Sequence, residues 1–143
     1  ALEAVVLLAA FIPMLMDTGG NAGSQSSTLV IRGIALGEID ANNTLDVFLK
    51  ELLVGITVGS TLAFVNFLRL IIFEKVTVML SITVSFSLFV TVVLSKVVGG
   101  VLPILAKKLN TDPAIMAGPL ITTIVDAVAL IIYFSTAVKL LHI

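Results

Sequence analysis

Residues 19–27 read GGNAGSQSS and contain no large apolar side chain. They stand between two apolar runs, EAVVLLAAFIPMLM (residues 3–16) and TLVIRGIAL (residues 28–36). In water such a stretch is a loop. Between runs like these it is polar material at membrane depth. The first apolar half, Ala4 to Met16, has only 13 residues, and a helix needs roughly 20 to cross a bilayer. Span one is therefore expected over Ala4 to about Leu36, either as one long kinked helix or as two half-helices meeting at an unwound centre.

Composition supports the membrane reading. Hydrophobic residues make up 59% of the 143 and charged residues 12%, against about 25% charged in a typical soluble domain. Such a chain cannot cover a water-facing surface. Its charges cluster at Arg32–Glu51, Arg69–Lys75, Lys96–Asp112 and Lys139. Between the clusters lie three further candidate spans, about 45–70, 76–106 and 114–138, in an all-α fold. Thr44 or Asn43 is the expected N-cap of span two. The turn at Phe73-Glu74-Lys75 is short enough to make spans two and three an antiparallel hairpin. Pro113 precedes span four, as proline often does at a helix start.

Several function classes are excluded. The net charge of −1 gives nothing for nucleic acid to bind. With no cysteine there is no disulfide, haem CxxCH motif or thiolate metal site. The single histidine, His142, leaves no HExxH protease motif. No GxxxxGK[ST] motif supplies energy coupling, and no enzyme chemistry is indicated. One flank carries Arg32, Lys50, Lys96, Lys107 and Lys108, the other Arg69, Lys75 and Lys139. By the positive-inside rule the first is cytoplasmic, and both termini face outward. An outward N-terminus without a basic leader suggests a processed or truncated chain.

Asp126 is position 13 of 25 in AIMAGPLITTIVDAVALIIYFSTAV, residues 114–138, which places it at the bilayer midplane. An ionisable group there costs roughly 2.5–3.5 kcal/mol on insertion scales and marks a functional site by default. The plainer reading is a protonated Asp hydrogen-bonded to a neighbouring helix. Thr122 and Gly118 precede it at spacings of four, on one helix face, and Pro119 frees a carbonyl one turn earlier. Asn21 and Gln25 are further polar candidates, and Asp17 is a helix cap, a pore-mouth charge or both. The glycines of residues 19–27 fit either close helix contact or unwound pore backbone. Thr83, Ser87, Thr91 and Ser95 form a strict row of four on span three, read first as interhelical hydrogen bonding and close packing. Gly55, Gly59 and Ala63 form a small face for packing, with a subunit interface as one option. Lys96 is expected to snorkel to the interface. All candidate ligands are oxygens, which suits hard cations such as Mg²⁺, Ca²⁺, Na⁺ or Mn²⁺.

Two blocks then stand together. One is Pro13 followed by Gly19-Gly20-Asn21-Ala22-Gly23-Ser24-Gln25, Thr28 to Arg32 and Ala35 to Glu38. The other is Asp112-Pro113-Ala114, Gly118-Pro119-Leu120, Thr122-Thr123 and Asp126. With them the chain closely resembles the transmembrane domain of the MgtE magnesium channels and transporters. That resemblance implies a multi-pass protein of the plasma (inner) membrane. It implies a homodimer with five spans per subunit and an ion path on the two-fold axis. Mg²⁺ is then the transported ion, held largely through its hydration shell by Asp126. Thr122 and Gly118 line the path, joined on span one by Asn21, Gln25, Gly20 and Asp17. The family's first span and its cytoplasmic N and CBS domains are not among these residues, so residues 1–143 read as a pore domain. Two positions depart from the pattern: Gly118 stands where some members carry Asn, and Asp17 where a small or neutral residue is expected. A proton- or sodium-coupled transporter of divalent cations and a non-transporting assembly subunit are the alternatives.

Overall fold

In lipid every backbone N–H and C=O needs an internal partner, and a helix supplies one within its own segment. The computed structural model describes residues 2–142. It places them in four long helices: α1 (Leu2–Ala35), α2 (Thr44–Ile72), α3 (Val78–Lys108) and α4 (Pro119–Leu141). All four are long and apolar enough to cross a membrane. The shortest, α4, has 23 residues, about 35 Å at 1.5 Å per residue, against roughly 30 Å of hydrocarbon.

Residues 19–27 lie inside α1, which is helical without a break. The unwound-centre alternative is thereby excluded. The reason lies in what the glycines touch. A Cβ on Gly19 would stand 2.7 Å from the Thr91 methyl, and one on Gly23 3.1 Å from Val125 and 3.3 Å from the Ser95 carbonyl. Across the seam, a Cβ on Gly99 of α3 would run into the backbone of Gly23. Apolar burial drives little association between helices in lipid, so small residues that let backbones approach carry much of it. These glycines keep the helix intact and bring its partner close.

The most central helix is α3, which packs against α1, α2 and α4, while α1 also packs against α4. Leu8, Phe11 and Leu15 of α1 meet Leu80, Val84, Leu88 and Val92 of α3, with Leu70 and Tyr133 closing the cluster. The buried Tyr133 hydroxyl donates to the Leu8 carbonyl at 2.9 Å and ties α4 to α1. A smaller cluster of Val30, Val47 and Ile104 lies toward the other end. Gly55 and Gly59 of α2 abut Val93, Lys96 and Phe89 of α3. The Gly55–Gly59 part of that small face is therefore used within the chain and is not open for a subunit contact.

The row Thr83, Ser87, Thr91 and Ser95 is fully buried, but it does not bond between helices. Thr83 donates to the Met79 carbonyl and Ser95 to the Thr91 carbonyl, both on their own helix. Among the described residues, Ser87 Oγ and Thr91 Oγ1 have no partner. An unpaired buried hydroxyl costs roughly 1–3 kcal/mol. Ser87→Ala should therefore raise thermal stability in detergent, by about 1 kcal/mol. A loss of stability would show that the hydroxyl has a partner.

The connections differ in detail from expectation. Asn43 is the N-cap of α2, as expected, without a side-chain cap bond; ahead of it the Asp40 carboxylate accepts from the Asn42 amide at 2.7 Å while Asn43 Oδ1 accepts from the Asp40 amide. This builds a 3₁₀ turn, Ala41–Asn43, ahead of α2. The α2–α3 turn carries an Arg69–Glu74 ion pair at 2.5 Å. Before α4 the chain makes a second 3₁₀ turn, Pro113–Met116, so α4 begins at Pro119 and not at Ala114.

Candidate functional site

Positions three and four apart share one face of a helix. On α1 this puts Asp17, Asn21, Gln25 and Thr28 in one row, all exposed, with Ser24 half-buried beside them. The opposite face of α1 is the buried, glycine-bearing one. α4 runs alongside the exposed row and adds Thr122 and Asp126. Gly20 makes the approach possible: a Cβ there would stand 3.3 Å from the Thr122 methyl and 3.8 Å from Asp126 Oδ1.

The result is a pocket of about 170 Å³ lined by Met16, Asp17, Gly20, Asn21, Thr122 and Asp126. A shallower groove of about 580 Å³ continues along Asn21, Ser24, Gln25, Thr28 and Leu29. Two carboxylates share the pocket and no basic side chain lines it, so its field favours cations. Among the described residues, the side chains of Asp17, Asn21 and Asp126 make no hydrogen bond. The reading of Asp126 as a carboxyl bonded to a neighbouring helix finds no partner for it here.

Asp17, Gly20, Asn21, Thr122 and Asp126 are thus brought together, and Gln25 lies one turn along. Gly118 is not with them. It is the N-cap of α4, at φ 53° and ψ −114°, a conformation open chiefly to glycine. Its carbonyl accepts the Thr122 amide at 3.1 Å, and it borders neither pocket. Pro119 opens α4, where a missing N–H costs nothing, so it frees no carbonyl inside the helix. The later start also moves Asp126 along α4, to two turns from its beginning. Asp126 is thus short of the middle of α4, whereas Gly20, beside it on α1, is close to the middle of that helix.

Three supporting contacts were not read from the sequence. Ser27 Oγ donates to the Met116 carbonyl at 2.6 Å and fastens the turn before α4 to α1. Ser26 Oγ donates to Glu51 Oε2 at 2.5 Å. Lys96 does not snorkel: it is 6% exposed and its ammonium donates to Gln25 Oε1 at 3.3 Å. A signal for the two charges was present. Glu51 continues the row Gly55–Gly59 backward by four, and Gly100 follows Lys96 by four, so both charges lie on packing faces.

The described residues thus form a bundle of four helices, each long and apolar enough to cross a membrane, with an open groove that bears two carboxylates. The profile of the MgtE family, described as a divalent cation transporter, matches residues 12–136. The magnesium transporter MgtE of Thermus thermophilus is 41% identical over 141 residues, covering 99% of this chain and 31% of that protein. The magnesium transporter MgtE of Bacillus subtilis is 37% identical over 142 residues, again 99% and 31%. That of Enterococcus faecalis is 29% identical over 131 residues, covering 92% and 29%. The chain belongs to the MgtE family of divalent cation transporters, and it spans about a third of the length of the curated relatives it matches.

Proposed function

We propose that this chain forms one wall of a Mg²⁺ channel, with a second copy supplying the other wall across a two-fold axis. The observation that carries this reading is the exposed row Asp17, Asn21, Gln25 and Thr28 beside Asp126. Facing lipid, a single carboxylate at this depth costs roughly 2.5–3.5 kcal/mol. Facing water in a pore, it costs little. A second copy set against this face would enclose the groove and bring two Asp126 side chains near the axis. The three relatives' names, each a magnesium transporter, agree with the ion.

The donor set fits a hydrated ion. No group of three or more His, Cys, Asp or Glu that could hold a metal is present among the described residues. Mg²⁺ gives up water reluctantly and is commonly held through few carboxylates and several waters. Two carboxylates, an amide and small neighbours bind such an ion without stripping it. With Arg32, Lys107 and Lys108 on the cytoplasmic side, inward passage of two charges gains about 4.6 kcal/mol per 100 mV.

A proton- or sodium-coupled transporter is the second reading. The pairing of Asp17 with Asp126 in one pocket favours it, because two neighbouring carboxylates can exchange bound protons for a cation. Flux in liposomes at controlled potential separates the two. Mg²⁺ flux that follows the potential, with no pH or Na⁺ gradient applied, is expected. Flux that follows a pH or Na⁺ gradient and ignores the potential would replace the channel with the coupled carrier. No flux at all from folded protein would leave an assembly subunit.

A further inference from the structure

Lys96 is a buried cation standing behind a groove that attracts cations. Its stem packs on α2, where a Cβ at Gly55 would lie 3.4 Å from the Lys96 Cβ. Its head reaches past the buried face of α1 to the exposed side chain of Gln25. On the next α1 residue, Ser26 holds the equally buried Glu51 of α2. Two opposite charges from two helices therefore grip adjacent residues of one wall, without an ion pair between them. Stability does not account for this. Replacing buried charges with apolar side chains of similar volume is often neutral or stabilising.

We propose that Lys96 is a positioning residue that turns the Gln25 amide oxygen away from the ion path. This deepens the reading that Mg²⁺ passes along the exposed face of α1, and it rests on that reading. An ammonium only donates, so the atom of the Gln25 amide that faces it is the oxygen. The NH₂ end is what remains for the groove. A hydrated cation presents water hydrogens outward and needs acceptors, which Asp126 and Asp17 offer and an amide NH₂ does not. The wall is then attractive at Asp126 and indifferent one turn further toward the start of α4. Conduction needs that contrast, since an ion must bind well enough to arrive and weakly enough to leave.

The test is a double-mutant cycle in the whole protein reconstituted in liposomes, reading half-saturating Mg²⁺ concentration and maximal flux separately. Lys96→Met should lower the half-saturating concentration about fivefold, because the amide oxygen is released to the groove. In a Gln25→Leu background the same change should shift it by less than about twofold. No shift in the parent, or an equal shift in both backgrounds, overturns the proposal, since the lysine would then be inert or act without Gln25. Lys96→Arg keeps the proposal testable even where Lys96→Met does not fold, because a guanidinium also only donates and still holds the Gln25 amide oxygen. It should leave half-saturation within about twofold of the parent value, and a fivefold fall would show that a donor held on that oxygen is not what sets the affinity. Asp126→Asn in the same liposomes reports separately on the pore: undiminished flux there removes the underlying reading, whereas an intact Asp126 dependence with no coupling in the cycle removes only the role of Lys96.

Discussion

Asp126→Asn should reduce Mg²⁺ flux by about 100-fold or more while leaving the helices folded. The substitution keeps size and shape and removes only the charge. One carboxylate facing a divalent ion across a water layer, at about 5 Å and an effective dielectric constant of about 20, contributes several kcal/mol. A factor of ten takes only about 1.4 kcal/mol. No basic neighbour in the pocket needs the carboxylate for charge balance. An ionised group at this depth is itself a burden on the fold, so the variant should unfold in detergent no earlier than the parent. Flux at the parent rate would refute the central site; loss of flux together with loss of folding would refute the claim that Asp126 serves the ion alone. Asp17→Asn should lose less, because Asp17 is the more exposed of the two. It should also alter the order among Mg²⁺, Mn²⁺ and Ca²⁺, since it changes how much negative charge the pocket holds.

The second large effect is expected at Gly99. Gly99→Ala adds one methyl where the backbone of Gly23 already stands. A flexible side chain could move aside, but a helix backbone cannot without parting α1 from α3. Overpacking typically costs 1–3 kcal/mol and sometimes more, and this contact is at the severe end. Thermal unfolding in detergent should show a loss of about 3 kcal/mol, and flux should fall with it because α1 carries one wall of the groove. Gly118→Ala offers the contrast. Nothing stands within 4 Å of a Cβ there, so any loss comes from backbone strain at φ 53° alone.

The four spans were legible because runs of apolar residues and clusters of charge are properties along the chain. Asp126, Asn21 and Gln25 stand out as candidates because polar groups in apolar runs are conspicuous, and they line two adjoining pockets. What lies around the chain was less legible. GGNAGSQSS carries two messages on opposite faces: Gly19 and Gly23 turn inward to α3 and α4, while Asn21 and Gln25 turn outward to the groove. Composition averages the faces and leaves packing and pore backbone equally open. A spacing of four puts Gly118 on the face of Asp126 only if the helix runs back past Pro119, and it has not yet begun there. A lysine near a helix end can reach the membrane surface, and only the position of Gln25 shows what holds Lys96 inside. The burial of Glu51 follows from the glycines above it, which make its row a contact face.

The meeting of Gly23 with Gly99 bears on how the two helices can move against each other. Where two helices touch through side chains, those chains can repack, and one helix can slide or roll on the other. Where they touch backbone to backbone, there is nothing to repack. At this crossing α1 and α3 therefore keep one register. The turn that follows α3 is tied into the same seam, because Ser27 of α1 fastens it through the Met116 carbonyl. The groove wall on α1 and the connection into α4 thus share one set of fixed contacts.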